Sequence, residues 1–233
     1  MINGSKSFIT NSGTDITKLV TVTAVTGTTG SGKKEISSIL VPVPTSGFTA
    51  EPPYDKVGWN ASDTHPLSFD DVRVPAENLL GEIGQGLRIG IGRITMNRLL
   101  HCPTLIGGAR RAWNLSVEYS RTRIVAGQPL LALQAIQHKL ADMATDVYAA
   151  RSMVLATAAK ADKKQDISVE ANMFKLFTAE NCFRVADQAV QIHGKAGLTQ
   201  GNEVEGIFRS LRMFRIVTGT SEIHRNAIAK ALA

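Results

Sequence analysis

The spacing of apolar residues changes once along this chain, near Gly86, and that change limits what the chain can fold into. Before it, Leu19-Val20-Thr21-Val22-Thr23-Ala24-Val25 alternates and is rich in β-branched side chains, as a strand with one covered face requires. Thr26 to Lys34 follows as a hairpin turn or loop, then Ile36 to Val43, Phe48 to Ala50 and Leu67 to Pro75, with Gly and Pro between the runs. Short strands at this spacing imply a sandwich or barrel. After Gly86 the period is helical. Ile136, Leu140, Met143, Val147, Val154 and Ala158 recur at intervals of three, four and seven, one face of a long helix.

Three further long or short helices flank that one, and a fourth closes the chain. The first is expected from about Leu87 to Arg121, kinked or interrupted at Pro103, because proline lacks an N–H and crowds the preceding turn. Another covers Ser168 to about His193, with Phe174, Phe177, Val185, Ala189 and Ile192 among its apolar residues. A shorter helix follows the Gly-rich loop from Gly194 to Glu203, and the last begins near Thr220. Long amphipathic helices joined by short loops pack antiparallel. The expected fold is α+β and predominantly α: a partial antiparallel β-domain over residues 1–82, then an antiparallel four-helix-type bundle over 83–233. No parallel sheet and no strand beyond residue 100 is expected. Met1-Ile2-Asn3-Gly4 reads as the second arm of a hairpin whose first arm is absent, so the chain is expected to be a section of a longer protein or a natural short subunit.

Charge follows the same division. Residues 1–82 carry six Lys and Arg against nine Asp and Glu, and residues 83–233 carry twenty against eleven. A basic helical half suits phosphate, whether of nucleic acid or of a nucleotide cofactor, and it equally suits plain solvation. No aromatic-basic surface motif favours nucleic acid. No apolar run approaches the ~20 residues that span a bilayer. The first residues carry neither an export signal nor an Arg-rich transit pattern, which leaves a cytoplasmic and a mitochondrial location both open. Cys102 and Cys182 lie far apart in apolar helical contexts and read as buried thiols, and no metal site is expected.

Five stretches carry more specific information. They are Ile2 to Asn11; Phe69 to Gly81; Arg123 to Pro129 with Gln134; Gln191 to Gly197; and Gly219 to Ile223. In this order and spacing they resemble the acyl-CoA dehydrogenase family, from the middle of its β-domain to its end. The resemblance implies a flavoprotein that removes the α-proton of an acyl-CoA thioester while hydride passes from the β-carbon to FAD. It assigns Phe8 and Thr10 to the flavin, and Arg123, Gln134, Gln191, Gly194 and Gly197 to FAD contacted across a subunit interface. Thr220 and Glu222 fall on the cofactor side, and Arg98 and Gly219 by the acyl-CoA. The implied assembly is a homodimer or homotetramer through the bundle, or a hetero-oligomer with a complete homologue.

Each assignment has a plainer alternative. Phe8-Ile9-Thr10 is also an ordinary strand, Arg123 a solvated helix-end cation, and Gly194 and Gly197 a helix stop. Thr220 with Glu222 is also a simple N-cap with an acid in the first turn.

The chain departs from the family where the chemistry needs it most. The reaction requires a carboxylate of tuned pKa. The family places it directly before the Gly of the last motif or, in one branch, one residue before the Arg matching Arg98; these positions are Thr218 and Asn97 here. Neither serves as a base near neutral pH, so no catalytic residue is assigned. Ala126 for Phe, Lys195 for Gly and Ser210 for Asp are further departures. Besides the acyl-CoA dehydrogenase reading, two others follow: a catalytically silent partner subunit or scaffold, and nucleic-acid binding by the basic bundle.

Overall fold

A computed structural model describes residues 1–233. It divides into two compact units, Met1–Ile94 and Thr95–Ala233, with the division falling inside the first helix.

The first unit holds two three-stranded antiparallel sheets. One has β1 (Ile2–Thr10) beside β5 (Thr64–Val72), which pairs in turn with β4 (Phe48–Ala50). The other has β2 (Leu19–Thr28), β3 (Lys34–Pro42) and β6 (Leu79–Leu80) in that order. Alternation decides which side chains go inward: Val20 and Val22 of β2 and Val41 of β3 join Ile2, Leu67, Phe69 and Val72 in one buried cluster. β1 and β5 run antiparallel, but their register slips between Lys6 and Ile9. Within that slip Phe8 has φ +57°, a conformation L-residues seldom adopt. The trio at Phe8 is therefore a bulge, which turns the Phe8 ring outward; an ordinary strand would not.

The second unit is the bundle. Helix α1 (Gly86–Thr122) continues through Pro103, so of the expected kink or interruption the interruption does not occur. Helices α2 (Gln134–Asp162), α3 (Ser168–His193), α4 (Glu203–Met213) and α5 (Ser221–Leu232) follow. Helix α3 is the hub, packed on α2, α4 and α5, and it buries Phe174, Lys175, Ala179, Cys182, Val185 and Ala189. Contacts along the helices fix their directions. Arg98 in α1 reaches Asn172 near the start of α3, and Tyr119 near the end of α1 stacks on His193 at the end of α3. Helices α1 and α3 are thus parallel. The short α2–α3 connection makes α2 antiparallel to both, and Trp113 Nε1 donates to Leu140 O at 3.1 Å to tie α1 to it. At the other side Lys175 Nζ donates to Phe214 O at the end of α4, which sets α4 antiparallel to α3.

One short ladder corrects the expectation of no strand beyond residue 100. Ile124–Val125 (β7) pairs with Gln128–Pro129 (β8) in the α1–α2 connection. Ala126 (φ +49°) and Gly127 (φ +80°) are both left-handed, and that turn geometry brings the flanking residues into antiparallel pairing. The two cysteines are free and buried, as their surroundings in the sequence imply.

Candidate functional site

The residues singled out in the second unit gather at the two ends of α3. Gln191, Gly194 and Gly197 lie at its C-terminal end, and because α2 is antiparallel Gln134 starts at that same end, with Arg123 in the connection just before it. Arg123, Gln134 and Gln191 are all exposed. Arg98, Gly219, Thr220 and Glu222 lie at the opposite end, where Arg98 and His224 both meet Asn172. From Asn172 to Gln191 is nineteen residues of continuous helix, about 28 Å at the α-helical rise.

At the C-terminal end of α3 the two glycines have different reasons. Gly194 caps the helix at φ +60° with open space where a side chain would project. Gly197 has an ordinary φ, but an added Cβ would stand 2.8 Å from Val190 O and 3.0 Å from Val190 Cα. The helix-stop reading of the loop is therefore correct locally, and it leaves Arg123 and the two amides free to meet a phosphate-bearing ligand.

At the other end Thr220 is the N-cap of α5, its Oγ1 accepting from Ile223 N at 3.3 Å. Glu222 in the first turn is exposed, and its carboxylate stands 3.8 Å from Arg225. The Glu222 amide and the Thr220 hydroxyl hold its carboxyl below the usual carboxylate range. That is the opposite of the tuning a general base needs near neutral pH.

Behind this turn is a polar cluster that sequence reasoning missed. Arg98 Nε donates to Thr218 O at 3.2 Å, and Arg98 Nη1 donates to Asn172 Oδ1 at 3.2 Å. His224 Nε2 lies 3.0 Å from Gly219 O, and Nδ1 lies 2.8 Å from Asn172 Oδ1. Lys175 is fully buried beside them, its ammonium donating to Phe214 O at 2.5 Å. Burial, with Arg98 nearby, brings the Lys175 pKa down to about 8. Burial and the two cations Arg98 and Lys175 push His224 down to about 4, so its ring is neutral at pH 7. Burial pushes the Cys102 thiol up to about 12, which leaves it protonated and unreactive. The signal for His224 was present, since it follows the Gly219–Ile223 motif directly, but nothing in sequence spacing joins it to Asn172 or Lys175.

The two positions where the family keeps its carboxylate thus come to one place, Asn97 adjoining Arg98 on α1 and Thr218 on the turn that Arg98 holds. The carboxylate of Glu180 in α3 approaches the same helix start, but it is already engaged by Ser221 Oγ at 2.5 Å and by Arg215 Nε at 3.0 Å. The Ser221 and Arg215 bonds outweigh its burial and lower its pKa, so it too remains an ionised anchor.

In the first unit, Phe8 is 70% exposed and stacks on Tyr54, ring centroids 4.5 Å apart, with Thr10 exposed two residues on. An outward aromatic plate beside a hydroxyl fits the wall and polar edge of an isoalloxazine ring. The exposed cation and amides at the α2–α3 end fit the phosphate and nucleotide parts of FAD.

Comparison with known proteins agrees with the motifs. Residues 1–72 match the model of the acyl-CoA dehydrogenase middle domain, and residues 84–233 match that of the acyl-CoA dehydrogenase C-terminal domain. A probable acyl-CoA dehydrogenase of Bacillus subtilis is 41% identical over 232 residues, covering 100% of this chain and 60% of that protein. The mitochondrial short-chain specific acyl-CoA dehydrogenase of Rattus norvegicus is 38% identical over 98% of this chain and 55% of its own length. The butyryl-CoA dehydrogenase of Megasphaera elsdenii superposes with a TM-score of 0.93 at 36% identity, over 99% of this chain and 59% of that one. The chain therefore spans about 60% of the length of these relatives. Two family models that together take in both units, in the order of the five motifs, place the chain in the acyl-CoA dehydrogenase family.

Proposed function

We propose that this chain forms the C-terminal section of an FAD-dependent enzyme that dehydrogenates acyl-CoA thioesters at the α,β-position. The observation that carries the reading is the gathering of the motif residues, scattered from Arg98 to Glu222, at the two ends of α3, with Arg123, Gln134 and Gln191 exposed at one end and Glu222 exposed beside the half-buried Arg98, Gly219 and Thr220 at the other. FAD, when bound, supplies the acceptor for the hydride leaving the β-carbon. The chain's own residues do the rest of the holding. Phe8 and Thr10 provide a wall and a hydroxyl, Arg123 a fixed cation, Gln134 and Gln191 amides, and Thr220 with Glu222 the start of α5. Gly219 lies beside the acyl thioester at a turn that Arg98 fixes.

Two copies are part of the proposal. The α2–α3 end and the α5 end of one chain stand about 28 Å apart along α3, and a subunit interface brings one copy's end to the other copy's site. Tyr148 and Leu155, exposed and one heptad apart on α2, offer apolar surface for such an interface.

Neither Asn97 nor Thr218 removes the α-proton, so this chain brings no base at the family's positions. The test is anaerobic titration of the longer, flavin-loaded protein with acyl-CoA esters of increasing chain length. Loss of the oxidised flavin absorbance with at least one ester is expected, and retention of full absorbance with every ester would overturn the reading.

A further inference from the structure

Asn172 is bonded at both ends of its amide. Its Nδ2 donates to Ser168 O at 2.7 Å, one turn back in α3, which directs Oδ1 toward α1 and α5. There Oδ1 accepts from Arg98 Nη1 at 3.2 Å and lies 2.8 Å from His224 Nδ1. Exchanging the amide oxygen and nitrogen would set a donor against Arg98 and an acceptor against Ser168 O, so the network fixes the orientation. The two groups that meet Asn172 lie at consecutive carbonyls: Arg98 donates to that of Thr218, and the His224 ring, whose neutral form carries one N–H for its two acceptors, packs 3.0 Å from that of Gly219.

Those carbonyls need holding. Thr218 has φ +60° and Gly219 φ +109°. A left-handed β-branched residue is strained and persists only where its surroundings over-determine it. Space is also tight, since a Cβ on Gly219 would stand 3.1 Å from His224 Nε2 and 3.4 Å from Arg98 Nη2. Helix α5 starts two residues on, so the same turn sets where that helix begins.

We propose that Asn172 is a positioning residue: by joining Arg98 to His224 it fixes the Thr218–Gly219 turn, and with it the direction in which the side chain at 218 leaves the backbone. The catalytic meaning rests on the functional reading above, because 218 is the position where the family's base commonly stands; the geometric part does not. Asn172 touches none of the reacting atoms. It acts through the cation on α1, to which it bonds, and the imidazole on α5, whose Nδ1 lies 2.8 Å from the same oxygen.

Hydrogen–deuterium exchange on the 233-residue chain tests the geometric part without any cofactor. Asn172→Ala is expected to raise exchange at the amides of residues 217–221 by about tenfold or more, with α2 as protected as before. Unchanged exchange in Asn172→Ala, or loosening spread evenly over α2 and α3, would overturn the proposal. A second measurement uses the longer, flavin-loaded protein carrying Thr218→Glu. Adding Asn172→Ala there is expected to lower kcat by roughly tenfold while KM stays within about threefold. If Thr218→Glu brings no acyl-CoA-dependent reduction while the exchange result holds, the functional reading fails and the positioning role stands. If reduction appears and Asn172→Ala leaves kcat unchanged, the positioning role fails.

Discussion

The guanidinium of Arg98 and the carbonyl of Thr218, 120 residues apart in sequence, meet at 3.2 Å and bring both of the family's base positions to one side of the bundle. Each lacks a carboxylate, and the nearest ones are committed elsewhere, Glu180 to Arg215 and Ser221 and Glu222 to the surface. Thr218→Glu in the longer, flavin-loaded protein is therefore predicted to raise the rate of acyl-CoA-dependent flavin reduction by roughly 10²–10⁴-fold, the usual worth of a positioned general base. Glutamate is unbranched at Cβ and suits the left-handed backbone at 218 at least as well as threonine does. Stopped-flow bleaching measured before and after the change decides it, and an equal rate in the two proteins would remove the base from the list of what is missing.

Stability should rise with pH in two separate windows. Both His224 and Lys175 have folded pKa values depressed by burial, to about 4 and about 8. For each, the unfolded chain binds the proton more readily, so unfolding takes up a proton and stability falls as pH falls. For His224 the loss runs from its ordinary value of 6.5 down to about 4, and for Lys175 from 10.5 down to about 8. Each is worth up to about 3 kcal/mol at 1.36 kcal/mol per pKa unit. Urea titrations from pH 4 to 9 should show two rising segments with a flatter stretch between them; above pH 9 the unfolded chain releases the protons that burial keeps on Cys102 and Cys182, which opposes the upper rise. Lys175→Met should abolish the upper segment alone, and a curve that still rises above pH 8 in that variant would contradict the assignment.

The glycines after α3 should respond differently to a methyl group. Gly197→Ala forces a Cβ against the Val190 backbone at 2.8 Å, and overpacking of this kind costs typically 1–3 kcal/mol, about the price of a lost core methyl or two. Gly194→Ala meets no atom, and its cost is one of backbone alone, about 1–3 kcal/mol, because φ +60° with ψ −136° lies outside the left-handed helical well in a region kept almost to glycine. Denaturant midpoints of the two variants measure both costs. If Gly197→Ala leaves the midpoint unchanged, the loop packs in some other way.

Much of this fold was legible from local chemistry. The alternation of Val20 and Val22 and the three-four spacing from Ile136 to Val154 depend on neighbours a few residues away, and the strands and helices formed where those patterns lie. Thr220 behaves as the N-cap its position implied. Pro103 does not interrupt α1, so the N–H it lacks was not enough to end the helix there. The bulge at Phe8 was hidden because a register slip depends on the partner strand, here β5, and not on the trio itself. The site was legible only in part. Arg98, Gly219 and Thr220 came from the motif resemblance, whereas Asn172, Lys175 and His224 share no spacing and meet only once α1, α3 and α5 are packed. A buried lysine in an amphipathic helix looks in sequence like any solvated one.

The two ends of α3 belong to one cofactor site only if two copies cooperate, and this can be tested by complementation. Arg123→Glu disables the α2–α3 end and Glu222→Lys the α5 end; both residues are exposed, so neither change disturbs a core. In the longer protein each variant alone is predicted to lose most of its FAD after dialysis, because a reversed charge meets the phosphates or the polar edge of the cofactor at every site. Co-expressing the two variants in equal amounts gives a different result if each site takes one end from each copy. A mixed dimer then has one site bearing both changes and one site bearing neither, so random pairing leaves about a quarter of all sites intact. Flavin absorbance per protomer after dialysis should accordingly recover to about a quarter of the parent value in a dimer. If each site is built within one chain, every site carries a change and the mixture binds no better than its components. Recovery near zero, with sedimentation showing that mixed dimers did form, would therefore mean that the two ends of α3 serve different purposes and that the cofactor is held within a single chain.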